Sequence, residues 1–353
     1  MDDVPESREL SDATVAAMVR EVDPDRGVET VTRVDRGFCS VYRIGIADAD
    51  STLQLYLKAS PDGQPWAIPT EARIQATLEA HTSVPVPEVL GVVDDHDTLP
   101  TPYYLMRGLP GDELAYERIG RVDDETLDRL ARETGRYLAA LHSVPAVDRF
   151  GHVRHDGPDL TGGRPVGDPS TLTVGDPHET WPSFLREYVD RELERHADSR
   201  FSDLTPALRR WFEAGLDDLD GPFEPVLGRN DHGLHNLLVD PETGEVTAML
   251  DWGYTLAVPA AFDFEFAVYL YSGAFLAGRP DVSDRRPLVR EAMLAGYRAI
   301  APELAARVST PEPCYEAAAM VRIMNDFDSL TLPDGSESAV MERIRTDVRT
   351  LLE

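Results

Sequence analysis

Apolar and polar positions alternate through Val28-Glu29-Thr30-Val31-Thr32-Arg33-Val34 and again through Val41-Tyr42-Arg43-Ile44-Gly45-Ile46. Arg36-Gly37-Phe38-Cys39-Ser40 lies between them, so residues 28–46 read as strand, turn, strand. Residues 52–58 give a third strand that ends in Lys58. Residues 70–81 carry a helical pattern, with Thr70 as N-cap and Ile74 and Leu78 on one face. Val84-Pro85-Val86-Pro87 forces an extended segment, and Val89–Val93 and Tyr103–Met106 read as two further strands. The first hundred residues therefore predict a mostly antiparallel sheet with one helix.

The pattern changes after Gly108-Leu109-Pro110-Gly111. Residues 123–142 form a long amphipathic helix with Leu127, Leu130, Thr134, Tyr137, Leu138 and Leu141 on its apolar side. Residues 155–180, rich in Gly, Pro, Asp and Thr, read as a loop. Helices follow at 181–197, 204–219, 286–300, 313–330 and 338–352, with no internal repeat. The fold class is α+β, with an N-terminal antiparallel sheet and a mainly helical C-terminal part.

The 353 residues suffice for one large two-lobed unit or two modest domains. No run of eighteen apolar residues exists, and the acidic Met1-Asp2-Asp3-Val4-Pro5-Glu6 is not a secretory signal. Cys39 and Cys314 are too few and too far apart for a disulfide framework, so a reducing cytoplasm is expected. The net charge is −30, with 64 acidic residues spread along the chain. That describes a solvated, self-repelling surface of the kind expected in a high-salt cytoplasm, and it excludes a non-specific grip on nucleic acid. Of the 34 basic residues, only Lys58 is a lysine. Its place calls for a compact charge on a flexible stem.

Candidate chemistry concentrates in residues 226–253. Leu237–Val239 and Val246–Leu250 flank the turn-rich Asp240–Glu245 and form a hairpin. Antiparallel pairing brings Asn236, at the start of the first strand, beside Asp251, at the end of the second. Asp231 lies on the loop entering that end. Two carboxylates and an amide oxygen are hard ligands that suit Mg²⁺ with substrate phosphates completing its shell. His232 and His235 lack further metal ligands and read as polar loop residues. Asp263 reads as a brace or cap of the apolar helix containing Phe264 and Phe266, and Glu265 as a solvated or buried residue of that helix.

The spacing Asp231-x-x-x-x-Asn236, a hairpin, then Asp251-x-Gly253 resembles the catalytic and metal loops of protein-kinase-like enzymes. It is most similar to the aminoglycoside phosphotransferase family, the choline/aminoglycoside kinase-like group. The resemblance runs from about residue 28 to about 272 through several ordered segments: Pro69-Thr70-Glu71-Ala72-Arg73, Val84–Val89, Tyr104–Gly111, Leu138–His142, and Pro259 with Phe262-Asp263. The chain departs from the family where His-Gly before the base is Arg229-Asn230, and where Gly-Asp before Pro259 is Ala257-Val258.

The resemblance implies a two-lobed kinase-like fold, with a nucleotide-binding lobe at 1–106 and a catalytic lobe at 107–353. It implies that Lys58 grips the α- and β-phosphates of ATP or GTP and pairs with Glu71. The single glycine of the phosphate turn, Gly37, would lie against the phosphates, and the base would lie by Met106–Gly108. Asp231 would be the catalytic base, with Asn236 and Asp251 holding Mg²⁺. The implied partner is a small-molecule alcohol, cations among the candidates, with neither nucleic acid nor membrane. The alternative is a nucleotide-binding pseudokinase, in which Arg229 could pair with Asp231 and hold it from the acceptor. A protein kinase fits less well, because 251–263 is too short for an activation loop and lacks Ala-Pro-Glu.

Overall fold

The computed structural model describes residues 9–34, 39–46, 54–60 and 67–353. Gly37, with most of the expected phosphate turn, lies outside the described residues. The chain enters through helix α1 (Asp12–Val22), which starts where Ser11 Oγ accepts the Thr14 N–H at 3.2 Å. Val15, Met18 and Val19 bury one face of α1 against the sheet. Only one helix was expected among the first hundred residues, so α1 is a correction.

Strands β1 (Val28–Val34), β2 (Ser40–Ile46), β3 (Leu55–Ala59), β4 (Val89–Val93) and β5 (Tyr103–Arg107) form an antiparallel sheet in the order β1-β2-β3-β5-β4. Helix α2 (Ala67–His81) lies between β3 and β4 in the chain. It begins three residues before Thr70, which is a buried first-turn residue and not the N-cap. Pro69 does not stop it, because first-turn N–H groups have no partner inside the helix to lose.

The C-terminal part is mainly helical. It contains α3 (Asp124–His142), α4 (Trp181–His196), α5 (Thr205–Asp217), α6 (Ala260–Ser272), α7 (Arg286–Ile300), α8 (Pro302–Val308), α9 (Pro313–Asn325) and α10 (Glu337–Leu352). Asp123 caps α3 by accepting the Thr126 N–H at 2.8 Å. Gly135 of α3 and Gly296 of α7 let the two backbones touch. A Cβ on Gly135 would sit 2.0 Å from Met293 O, and one on Gly296 1.9 Å from Arg132 O.

Short strands complete this part: β6 (Asp112–Glu113), β7 (Phe150–His155), β8 (Leu172–His178), β9 (Val226–Gly228), β10 (Leu237–Val239), β11 (Val246–Met249) and β12 (Leu256–Val258). They make two sheets, β11-β10-β6 and β8-β7-β12-β9. The second corrects the loop reading of 155–180, since β8 occupies its last third and pairs with β7. No helix among the described residues is long and apolar enough to cross a membrane.

Candidate active site

Lys58 sits near the end of β3, paired with Val41 on one side and Tyr104 on the other. Its ammonium donates to Glu71 at 2.9 Å and to Asp251 Oδ1 at 3.1 Å. Glu71 projects from the first turns of α2 and is 2% exposed. It also accepts the Trp252 N–H at 3.3 Å and Gln75 Nε2 at 3.4 Å, while Gln75 Nε2 donates to Tyr104 Oη at 3.0 Å. The sheet, α2 and the turn after β11 thus meet at one ammonium.

Electrostatics follow from that sharing. Burial works against the charge on Lys58, yet Asp251 and Glu71 hold its pKa well above the ordinary lysine value. Burial likewise pushes Asp251 upward, but Lys58, with Arg229 and His235 behind it, keeps its carboxyl below the usual range. Burial pushes Glu71 up against the pull of Lys58. Among the described residues one ammonium is thus shared by two carboxylates, one of which, Asp251, keeps 42% of its side chain exposed. Cys39 stands beside this cluster, and burial pushes its thiol up to about 11, so it is not a thiolate nucleophile.

The hairpin closes as its sequence requires. Leu237 pairs with Met249, and the Leu250 N–H donates to Asn236 O at 2.9 Å, which brings Asn236 and Asp251 to the same open end. Asp251 has φ 63°, a left-handed turn residue that aims its carboxylate back at Lys58. Asn236 is 7% exposed, and its Nδ2 has no hydrogen-bond partner. Among the described residues no cluster of three or more His, Cys, Asp or Glu side chains could hold a metal ion. Asn236 and Asp251 do fit a Mg²⁺ that takes most of its oxygens from phosphates and water.

Asp231 lies on the loop before the hairpin, half-buried, with its N–H bonded to Arg229 O at 2.7 Å and its carboxylate accepting the Gly233 N–H at 3.3 Å. The preceding Asn230 has φ 62°. Asp263, on the first turn of α6 and fully buried, holds this bend. Its Oδ1 accepts the Asn230 N–H at 3.0 Å and meets His232 Nε2 at 2.8 Å; its Oδ2 meets His142 Nε2 at 3.1 Å. His142 Nδ1 reaches the Tyr297 hydroxyl at 2.9 Å. Burial alone would raise the Asp263 carboxyl, but His232 and His142 hold it far below the carboxylate range. The sequence reading missed this brace. Asp263 supports the loop at 230–232 more than its own helix, and His232 is a buried partner where a polar loop residue was expected. The signal was present in Leu138–His142, Asp231-His232-Gly233 and Phe262-Asp263, but nothing in it says that these segments meet.

Arg229 does not pair with Asp231. Its Nη2 donates to Asn236 O at 3.0 Å and Leu250 O at 2.6 Å, and its guanidinium lies over Trp252 at 5.2 Å. It staples the two hairpin strands directly behind Asn236 and Asp251. Glu265 is the buried helix residue of the two options, 4% exposed and paired with Arg290, and burial pushes its carboxyl up to about 7. At the link between sheet and helices, Met106 lies in β5 between Tyr56 and Val89. The Gly108 N–H is already committed to Gln54 O at 2.7 Å, so a base placed there must use other backbone groups.

This fold and site define a kinase-like phosphotransferase architecture. The sequence matches the phosphotransferase enzyme family over residues 30–310, and the chain belongs to that family. It is similar to acyl-CoA dehydrogenase family member 10 of Mus musculus, at 28% identity over 219 residues. The match covers 60% of this chain and 17% of that protein. A match to the probable acyl-CoA dehydrogenase IBR3 of Arabidopsis thaliana, at 23% identity, covers 60% of this chain and 24% of that one. The chain thus corresponds to a minor part of these curated relatives.

Among solved structures it resembles a candidate aminoglycoside phosphotransferase from Ralstonia eutropha, with TM-score 0.61, 15% identity and 98% of each chain covered. Aminoglycoside 2'-phosphotransferase-IIIa in its GDP complex gives TM-score 0.57 at 15% identity over 97% of this chain and 99% of that one. A thermostable mutant of aminoglycoside phosphotransferase APH(4)-Ia, in a ternary complex with AMP-PNP and hygromycin B, gives 0.51 at 15% over 95% and 99%. At such identities the likeness establishes the two-lobed kinase-like fold.

Proposed function

We propose that the protein is a cytoplasmic, Mg²⁺-dependent phosphotransferase that moves the γ-phosphate of ATP or GTP to a hydroxyl of a small molecule. Residues 1–106 would form the nucleotide lobe and 107–353 the catalytic lobe. The observation that carries this reading is the single ammonium of Lys58 held between Glu71 and Asp251 at the mouth of the Asn236–Asp251 hairpin. A structural ion pair needs one carboxylate. The second, partly exposed one shares that ammonium and, among the described residues, has no other ion-pair partner.

In this reading Lys58 binds the α- and β-phosphate oxygens, Glu71 orients its ammonium, and the base lies near Met106 and Gly108. Asn236 and Asp251 hold Mg²⁺, which when bound offsets charge on the phosphate oxygens. Asp231 accepts the proton of the acceptor hydroxyl and aligns that oxygen with the γ-phosphorus. Positioning and electrostatics supply most of the acceleration. The position of Arg229, behind the hairpin and not on Asp231, supports turnover over the pseudokinase alternative.

The test is a metabolite screen for Mg²⁺-dependent phosphorylation, read by mass shift and repeated with two variants. Asp251→Asn should lose metal-dependent nucleotide binding together with turnover. Asp231→Asn should keep nucleotide binding and lose transfer by roughly two to four orders of magnitude. Transfer at the parent rate by Asp231→Asn would refute its role. Nucleotide binding without transfer to any alcohol would establish the pseudokinase.

A further inference from the structure

The segment joining β7 to β8 leaves the C-terminal sheet, crosses to the edge of the N-terminal sheet and returns. Strand β4 is an edge strand, and this segment pairs with it. Gly162 N donates to Val92 O at 2.7 Å, Val92 N to Gly163 O at 3.0 Å and Asp94 N to Leu160 O at 2.9 Å, with a bridge between Val93 and Thr161. The same segment grips α2. Arg164 binds Glu79 at 2.9 Å and Glu88 at 2.8 Å, and His81 Nε2 meets Gly167 O at 2.7 Å.

At the centre is a buried ion pair. Arg73, two residues after Glu71, donates to both oxygens of Asp94 at 2.9 and 2.6 Å, and to Pro158 O at 3.3 Å. Asp94 also accepts the Leu160 N–H at 2.6 Å. The Arg73 and Asp94 side chains are 3% and 7% exposed.

We propose that residues 156–171 are a clasp that fixes α2 against the sheet, and that Arg73 and Asp94 are positioning residues that hold Glu71 on Lys58. The geometry supports this in three ways. Arg73 and Glu71 leave the same turn of α2, so a shift that breaks Arg73–Asp94 moves Glu71 as well. The clasp is itself anchored to the sheet by pairing with the β4 edge, and Arg73 and His81 of α2 reach its backbone carbonyls at Pro158 and Gly167. Gly167 lies so close to α2 that a Cβ there would sit 2.3 Å from Ala76 O, so the clasp is seated against the helix backbone. Met249 N adds a bond to Pro85 O at 2.7 Å, tying the segment after α2 to the hairpin that carries Asn236 and Asp251.

The proposal rests on the phosphotransferase reading, and its test separates the two. Asp94→Asn removes the charge at the centre. Gly167→Val pushes the clasp off α2 without burying an unpaired charge, and covers the case in which Asp94→Asn does not fold. Hydrogen exchange should rise across residues 67–81 in either variant, and Mg-AMP-PNP should bind more weakly by about tenfold or more. Adding Glu71→Gln should then cost less affinity than it does in the parent, because both changes act on one pair. Unchanged exchange in α2, or affinity losses that simply add, would overturn the clasp. A parent whose nucleotide binding is indifferent to Lys58→Met would overturn the phosphotransferase reading and the positioning role with it.

Discussion

Replacing Asp263 by Ala tests how the loop carrying Asp231 is held. The substitution removes acceptors for the Asn230 N–H, His232 and His142 at one stroke, in a site with no solvent exposure. Hydrogen bonds to a charged group contribute roughly 1.5–3 kcal/mol each net, and removing one member of a buried charged network costs about 3–5 kcal/mol in all. For a chain of 353 residues about 3–5 kcal/mol lowers the melting temperature by roughly 4–7 °C.

Asp263→Asn should cost less, since an amide oxygen still accepts from Asn230. The pH dependence has a definite sign. The folded carboxyl is depressed, so its contribution is complete above the unfolded pKa of about 4 and is lost as pH falls below that toward the folded value. The stability gap between parent and Asp263→Asn should therefore be flat from pH 5 upward and narrow below about pH 4. Activity should fall with stability only in part. Asn230, at φ 62°, loses its anchor, and Asp231 follows it, so kcat should drop even at temperatures where the variant is folded. Urea unfolding together with single-turnover transfer measures both. An Asp263→Ala variant that unfolds like the parent, or is folded and transfers phosphate at the parent rate, would refute the brace.

Lys58→Arg should bind nucleotide and turn it over far more slowly than the parent, because a planar fork cannot replace a point charge between two carboxylates; parent-like kinetics would contradict this. Burial holds Glu265 near pKa 7, above its unfolded value, so stability should decline as pH rises from about 4.5 to about 7. Glu265→Gln should remove that decline, and a parent melting temperature that is flat over this range would refute the assignment.

How much of this was legible depends on the range of the interactions. β1, β2 and α3 carry their own alternation or stripe and β4 is a short apolar run, and the structure places all four within a residue or two of the expected bounds. The hairpin end that joins Asn236 and Asp251 follows from local pairing alone. β7 and β8 were hidden, because their Gly-, Pro- and Asp-rich surroundings look like a loop and β7 also pairs with β12, a strand that lies a hundred residues away. β9 and β12 are three-residue strands, too short for any period to show. The Asp263 brace joins α3, the loop carrying Asp231 and α6, and such a junction exists only once the chain is folded.

The rarity of lysine takes on a physical meaning in the fold. Elsewhere arginine serves well: Arg73 forks onto Asp94, and Arg229 straddles two carbonyls behind the hairpin. Each is a fixed, directional bond that holds one arrangement. At Lys58 the requirement is different. The cation is shared between Glu71 on α2 and Asp251 on the turn, and in the proposed reaction it would give up Asp251 for phosphate oxygens. A spherical ammonium can trade one acceptor for another at similar distance with little change in geometry, whereas a guanidinium bound through two parallel N–H groups must break both. A chain that has put arginine almost everywhere else retains lysine where, in the proposed reaction, the partner has to change.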